Sequence, residues 1–156
     1  MPSYWLMKSE PSVFSIDDLA RAKGQTTRWD GVRNFQARNF LRDQIKVGDG
    51  VLFYHSSADP PAVAGTATVA RAGYVDPTQF DRGDDHHDPD SSPDDPRWYA
   101  VDIKFESKFA KPVTLPELRA TPALADMVLL RRGSRLSVQP VAPAEWKLIT
   151  KLGGKA

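Results

Sequence analysis

The chain has 156 residues, of which 40% are hydrophobic, and this length and composition predict one compact domain with a single core. It contains no cysteine, which excludes disulfide bonds, thiolate catalysis and every zinc site that needs a cysteine ligand. The formal net charge is only +1, but residues 76–95 hold eight aspartates and one arginine, a net of −7 that leaves +8 for the remainder. A basic body with one acidic segment fits a polyanion partner on one face, and equally an ordinary surface with a solvated acidic loop.

The N-terminal segment MPSYWLMKSEP predicts a first strand and no targeting signal. Its apolar run is short and lacks a basic lead, so it is neither a signal peptide nor a membrane span, and a soluble cytoplasmic protein without a membrane partner is expected. Residues 4–9 alternate like a strand that becomes polar at Lys8 and Ser9. Pro11 would end the ladder because it has no N–H to donate.

Two helix starts follow. Ser15 and Asp18 have the spacing of a capping box, which predicts a short helix through Ala22 and then a loop that contains Trp29. Asn34 is a suitable N-cap for a second helix. In that helix four apolar residues can cover a core while two arginines lie on another face: Phe35, Phe40, Leu41 and Ile45, against Arg38 and Arg42.

The rest of the chain is rich in predicted strands. In residues 51–56 Val51, Phe53 and His55 would face one way, and Leu52, Tyr54 and Ser56 the other, so this strand also becomes polar at its end. Further strands are predicted at 63–71, 98–105 and 135–141, with helical turns at 115–127 and a last helix at 143–153. Strands interspersed with short helices predict an α+β domain built around a small curved sheet or barrel.

An acidic excursion loop is predicted at about 76–96 because this stretch is too polar and proline-rich for a core element. It contains His86 and His87 within DDHHDPD, a composition that can bind metal. Adjacent side chains on a loop rarely chelate one ion well, so we favour a solvated loop and expect no metal. The glycines do not have the spacing of a phosphate-binding loop, and the serines and histidines do not establish a catalytic triad.

Three polar segments could meet at one rim of the sheet: residues 8–10, 29–34 and 54–56. If the two strands are neighbours, these segments would offer an aromatic plane, a cation, a carboxylate, an amide and hydroxyls, which suit a planar heterocycle. Trp29 is then the floor of a pocket. The alternative is that Trp29 is an ordinary core residue and that Lys8 and Glu10 pair on the surface.

The segments YWLMKSEP, WDGVRNFQARNF, VGDGVLFYHS and RLSVQPV, with Glu145 and Trp146 beyond them, resemble the EVE domain over nearly the whole chain. The resemblance implies a single domain over residues 1–156 with a PUA-like mixed β pseudo-barrel flanked by short helices, related to the YTH and ASCH domains. It also implies binding of a modified base, such as modified cytosine, in DNA or RNA, without catalysis or cofactor and with Trp29 as the stacking aromatic.

The roles of Trp29, Lys8, Ser9, Asn34 and residues 53–56 come from this resemblance. The expected ligand pocket is Lys8, Ser9, Glu10, Trp29, Val32, Arg33, Asn34, Tyr54, His55 and Ser56. Contacts to the nucleic-acid backbone are expected from Arg38, Arg131, Arg132 and Arg135. Because a YTH-type cage uses more than one aromatic residue, a second wall is sought among Tyr74, Phe80 and Trp98. Two other functions stay open: an ASCH-like amidohydrolase that uses Lys8 and Glu10, and an interaction domain with a vestigial pocket. A free modified nucleoside or another small ligand is an alternative to a polymer, and the sequence allows a monomer without fixing the oligomeric state.

Overall fold

The computed structural model describes residues 2–133 and 135–154, and within these ranges six strands form one mixed sheet in the order β2-β5-β4-β3-β1-β6. The strands are β1 Tyr4–Ser9, β2 Thr26–Trp29, β3 Gly50–His55, β4 Ala62–Val75, β5 Tyr99–Thr114 and β6 Val138–Val141. The α-helices are α1 Ile16–Arg21, α2 Phe35–Asn39, α3 Leu115–Arg119 and α4 Pro143–Gly153. Single turns of 3-10 or π-helix lie at Lys23–Gln25, Phe40–Gln44, Pro77–Phe80, Pro122–Leu124 and Val128–Leu130.

The two strands with polar ends are neighbours. β1 and β3 run parallel, with Lys8 opposite Tyr54 and Ser9 opposite His55, whereas the other strand pairs are antiparallel. The backbone N–H of Ser56 donates to the Ser9 carbonyl at 3.0 Å, which extends the pairing beyond the strand ends. The predicted proximity of these two segments is therefore confirmed.

The sheet curls into a pseudo-barrel. β4 and β5 are long and pair through several register shifts, and such bulges bend a sheet and increase its twist. As a result Trp29 of the edge strand β2 packs against Phe53 of β3, which lies three places away in the strand order, with ring centroids 5.5 Å apart. The predicted α+β architecture with a PUA-like barrel is confirmed.

Alternation along the strands separates two core clusters. Val51 and Phe53 belong to the cluster inside the barrel with Trp29, whereas Leu52 and Tyr54 belong to the cluster outside it. The outer cluster is covered by α3 and α4, which contribute Leu118 and Ile149. The alternation predicted for residues 51–56 is thus confirmed for its apolar members. In the described part of the chain, no helix is both long and apolar enough to span a membrane.

The predicted helix caps are confirmed. Ser15 and Asp18 form a reciprocal capping box at α1, and the Asn34 side chain accepts from the Ala37 N–H at 3.0 Å at the start of α2. Beyond α2 the helix continues as one π-helical turn through Gln44.

Four sequence predictions were wrong in detail. The segment before Asp30 is not a loop but the strand β2, which pairs with β5 through Trp29 opposite Val101. Phe35 is not a core residue: it is 52% exposed and stacks on Trp98 with centroids 4.8 Å apart. β4 and β5 run beyond the predicted 63–71 and 98–105, because the backbones of the two strands remain paired even where their side chains are polar and exposed. The last strand begins at Val138 and not at 135.

Candidate functional site

A cavity of about 660 Å³ lies at the seam of the pseudo-barrel, where the edge strand β2 approaches the end of β1. Its volume falls within the range of about 300 to 1,000 Å³ that is usual for ligand pockets. β2 has a sheet neighbour on one side only. Those of its backbone N–H and C=O groups that point away from β5 are therefore available to a ligand at the seam. Its lining includes Lys8, Glu10, Phe14, Trp29, Val32 and His86.

Trp29 belongs to the core and to the cavity at once. It is 8% exposed, packs edge-to-face on Phe53, and the small exposed part of its surface lies in the cavity. The alternatives of core residue and pocket floor are therefore not exclusive. The barrel core fixes the position of the indole at the edge of the cavity.

The end of β1 contributes a cation and a carboxylate. Lys8 is half-buried in the cavity wall, and this desolvation lowers the pKa of its ammonium group. Glu10 is exposed and accepts a hydrogen bond from the Ser57 hydroxyl at 3.3 Å. The Ser9 hydroxyl donates to the Phe14 carbonyl at 2.6 Å, which fixes the neighbouring wall of the cavity.

Arg33 lies in the cavity wall but its donors are occupied by protein. Its guanidinium donates to the carbonyls of Val32 and His86, to the Thr78 hydroxyl, and to Asp76 Oδ2 at 3.1 Å. It also lies over the ring of Trp98 at 5.3 Å. Arg33 therefore joins the cavity wall to the acidic loop, which is a structural role.

Asp76 is the buried anchor on the loop side of this junction. Its carboxylate is fully buried and accepts from the Gly31 N–H at 2.9 Å, from Arg33, and from the N–H and hydroxyl of Thr78. Burial acts to raise the pKa of Asp76, but hydrogen bonds from Thr78, Gly31 and Arg33 outweigh it and hold the pKa below its ordinary value. The carboxylate is therefore charged at neutral pH.

The prediction that residues 76–96 form a solvated loop is wrong for the first part of that loop. Besides Asp76, Gln79 is fully buried and its amide group bridges the Asp76 and Trp98 carbonyls. Asp88 accepts from the Trp98 indole N–H at 2.6 Å. These bonds fold the loop against the barrel and bring His86 to the cavity.

His86 and Phe14 line the cavity although neither was among the predicted site residues. The sequence places His86 in a loop predicted to be solvated, and Phe14 follows a proline-terminated strand without any distinguishing motif. In the described ranges, no group of three or more histidine, aspartate or glutamate residues is placed to hold a metal ion.

Several predicted pocket residues lie outside the cavity lining. Tyr54 points to the outer core cluster, and Asn34 caps α2. His55 accepts from the Ile16 N–H, and Ser56 pairs with Ser9 through its backbone. The three candidates for a second aromatic wall are also used elsewhere: Tyr74 donates to Asp102, Trp98 stacks on Phe35, and Phe80 ends the turn that carries Gln79.

Comparison with known proteins identifies the family. The sequence model of the EVE domain family matches residues 3–152. The chain belongs to the EVE domain family.

Curated and solved relatives of this EVE domain are similar over almost its full length. Thymocyte nuclear protein 1 of Danio rerio is 43% identical, with 97% of this chain and 73% of the relative covered. The crystal structure of the human protein in complex with DNA that contains 5-methylcytosine superposes with a TM-score of 0.91 at 41% identity, covering 99% of each chain. A Pseudomonas putida protein gives a TM-score of 0.92 at 46% identity, covering 97% of this chain and 100% of that one.

His55 connects the EVE-domain barrel to α1 and predicts a pH-dependent stability. Its Nε2 accepts from the Ile16 N–H at 3.1 Å, which only a neutral imidazole can do. Burial lowers the pKa of His55, with smaller opposing effects of Asp17 and Asp18 and a reinforcing one of Lys108. The stabilisation is therefore present above the ordinary histidine pKa of about 6.5 and is lost as the pH falls towards the lowered value in the folded state.

We expect His55→Gln to remove this pH dependence, because the glutamine amide oxygen can replace Nε2 as an acceptor but does not titrate. The midpoint of thermal unfolding, measured between pH about 7 and 5, should fall less in the variant than in the wild type. His87→Gln serves as the control for histidine replacement elsewhere. Parallel pH profiles for the wild type and His55→Gln would contradict this role.

Proposed function

We propose that this EVE domain binds DNA that carries modified cytosine, foremost 5-methylcytosine, and holds the base in the Trp29 cavity without chemical conversion. The observation that carries the proposal is the cavity at the barrel seam, with a rigidly packed indole as floor and polar groups at its rim. The human relative in complex with 5-methylcytosine DNA supports it, because this chain shares that fold over 99% of its length.

The chemistry of the cavity suits a cytosine that has been turned out of the duplex. A flat base can lie against Trp29, and base stacking on an aromatic is worth about 1 to 3 kcal/mol. Cytosine presents an amino donor and two acceptors along its Watson–Crick edge. Lys8 supplies donors and Glu10 acceptors at the rim, and Val32 and Phe14 supply apolar surface that a methyl group could contact.

We assign binding of the DNA phosphate backbone to a basic segment beside the cavity. Arg131, Arg132 and Arg135 are exposed, and the segment leads directly to Ser137, which lines the cavity. Arg38 was expected to share this role, but its guanidinium donates to the Arg97 carbonyl at 2.5 Å and to Asn39 Oδ1. We therefore assign a structural role to Arg38 and phosphate binding to the other three arginines.

The proposal is tested by fluorescence anisotropy with matched duplexes that contain 5-methylcytosine or cytosine, at two salt concentrations. We expect tighter binding to the methylated duplex and weaker binding at higher salt. Single-stranded DNA and RNA with the same methylated base show which polymer is preferred. Equal affinity for the methylated and plain duplexes would refute the proposal.

Replacing Arg131, Arg132 and Arg135 together by alanine should weaken binding to both duplexes by the same factor. For every phosphate that is no longer neutralised, the slope of log affinity against log salt should become shallower by about 0.9. The double variant Lys147→Ala/Lys151→Ala, on the far side of the sheet in α4, is the control and should keep the wild-type slope. An unchanged slope in the triple variant would exclude this segment as the phosphate-binding surface.

One observation favours an enzyme as the second candidate: burial lowers the pKa of Lys8, as general-base chemistry would need. An amidohydrolase of this kind would convert acylated nucleosides. Incubation with a panel of modified nucleosides, followed by chromatography, distinguishes an enzyme from a domain that only binds the base. Recovery of unchanged nucleosides together with binding of methylated DNA would reject the enzyme.

A further inference from the structure

The acidic loop places the imidazole of His86 directly against the backbone beside Trp29. A Cβ atom added at Gly31 would lie 2.7 Å from both Cε1 and Nε2 of His86, so the absence of a side chain at Gly31 is what allows this approach. The His86 side chain is 47% exposed, and it lines the cavity. One part of the ring therefore contacts the protein and another part is open to a ligand.

His86 is held in this position from two directions. Asp84 Oδ1 accepts from the His86 backbone N–H at 2.8 Å and lies 3.1 Å from Nδ1 of the ring. On the other side, Nε and Nη2 of Arg33 donate to the His86 carbonyl at 3.1 and 2.6 Å. A half-exposed side chain whose backbone is held from both sides and whose ring contacts Asp84 loses little conformational freedom when a ligand binds.

The same network engages several of the loop's carboxylates with protein groups. Asp76 is paired with Arg33, Asp84 is engaged with His86, and Asp88 accepts from the Trp98 indole. Asp81 also accepts from the Gly83 N–H at 2.9 Å, so four of the eight aspartates of the segment 76–95 form hydrogen bonds within the protein.

We propose that His86 is a base-contacting residue, whose imidazole forms a side wall of the cavity and contacts the flat modified base that lies on Trp29. The inference rests on the proposed function and deepens it. It makes the acidic loop part of the ligand site, with Arg33 and Gly31 as the residues that position the imidazole. The second wall of the site is then a histidine from the loop and not Tyr74, Phe80 or Trp98.

The test compares His86→Ala, His86→Phe and the adjacent control His87→Ala in anisotropy titrations with the methylated duplex. We expect His86→Ala to raise the Kd by about fivefold or more, since stacking partners of bases contribute at least that much. His86→Phe should recover most of the affinity because it restores a flat face, and His87→Ala should bind as the wild type does. Unfolding midpoints of all three show whether the fold is retained.

The outcomes separate this inference from the proposed function. If the wild type does not prefer the methylated duplex, both are overturned. If the wild type prefers it and Trp29→Leu weakens binding, but His86→Ala binds as His87→Ala does, only the role of His86 is overturned. Equal losses of affinity in His86→Ala and His86→Phe would overturn a contact between the flat face of the imidazole and the base.

Discussion

Trp29→Leu is expected to weaken binding to the methylated duplex by about 5- to 150-fold, because it removes the aromatic surface on which we propose that the base stacks, a contact worth about 1 to 3 kcal/mol. Leucine keeps an apolar side chain against Phe53, which lies edge-to-face on the indole in the wild type. The fold should therefore survive with a loss on the order of 2 kcal/mol in the free energy of unfolding. Binding is measured by anisotropy at a temperature well below the unfolding midpoint of the variant.

The leucine variant is preferable to alanine because Trp29 is only 8% exposed and belongs to the inner core cluster. Truncating a buried tryptophan to alanine costs about 3 to 5 kcal/mol, a large share of the total stability of a small domain. Trp146→Leu is the matched control, since Trp146 stacks on Tyr4 with centroids 4.5 Å apart and packs against the outer cluster. Equal affinities of Trp29→Leu and Trp146→Leu for the methylated duplex would contradict the stacking role.

Asp76→Asn is expected to lower the free energy of unfolding by on the order of 3 kcal/mol at neutral pH, although it changes almost no volume. The buried carboxylate accepts from Gly31, Arg33 and twice from Thr78, whereas an amide would direct N–H groups at some of these donors. The measurement is urea unfolding at pH 7. Asp85→Asn, at an exposed position of the same loop, is the control and should unfold as the wild type does.

The contribution of Asp76 also has a defined pH dependence. Its pKa is lower in the folded protein than in the unfolded chain, so the stabilisation is present above the ordinary aspartate pKa of about 3.9 and is lost as the pH falls through the lowered value. The difference in stability between the wild type and Asp76→Asn should therefore shrink under strongly acidic conditions. A difference that stays constant with pH, or is absent at pH 7, would show that Asp76 does not anchor the loop.

Local patterns in the sequence were sufficient for most strands and for the caps of α1 and α2, but not for β2. The alternation of residues 51–56 reports which side chains face the barrel interior, since successive residues of a strand point to opposite faces. Ser15 and Asn34 were recognisable because a helix N-terminus needs a short acceptor at that position. The PUA-like architecture came from resemblance to the EVE domain and not from periodicity.

The parts that could not be predicted depend on contacts between distant segments. Trp29 becomes a strand residue only through pairing with Val101, and a strand of four residues has too short a pattern to be recognised. Asp76 and His86 reach Gly31 and Arg33 from 43 to 53 positions away in the sequence. Nothing in the acidic composition of the loop indicates these partners. Phe35 is exposed for a similar reason, since its partner Trp98 comes from the far end of that loop.

The most direct test of the Trp29 cavity as the base site is a titration followed by NMR of the indole N–H groups, of which the four tryptophans give one each. We predict that the methylated duplex shifts the Trp29 signal in proportion to occupancy, while the Trp146 signal stays in place and the plain duplex has a much smaller effect at the same concentration. An unmoved Trp29 signal at saturation with the methylated duplex would contradict binding of the base in this cavity.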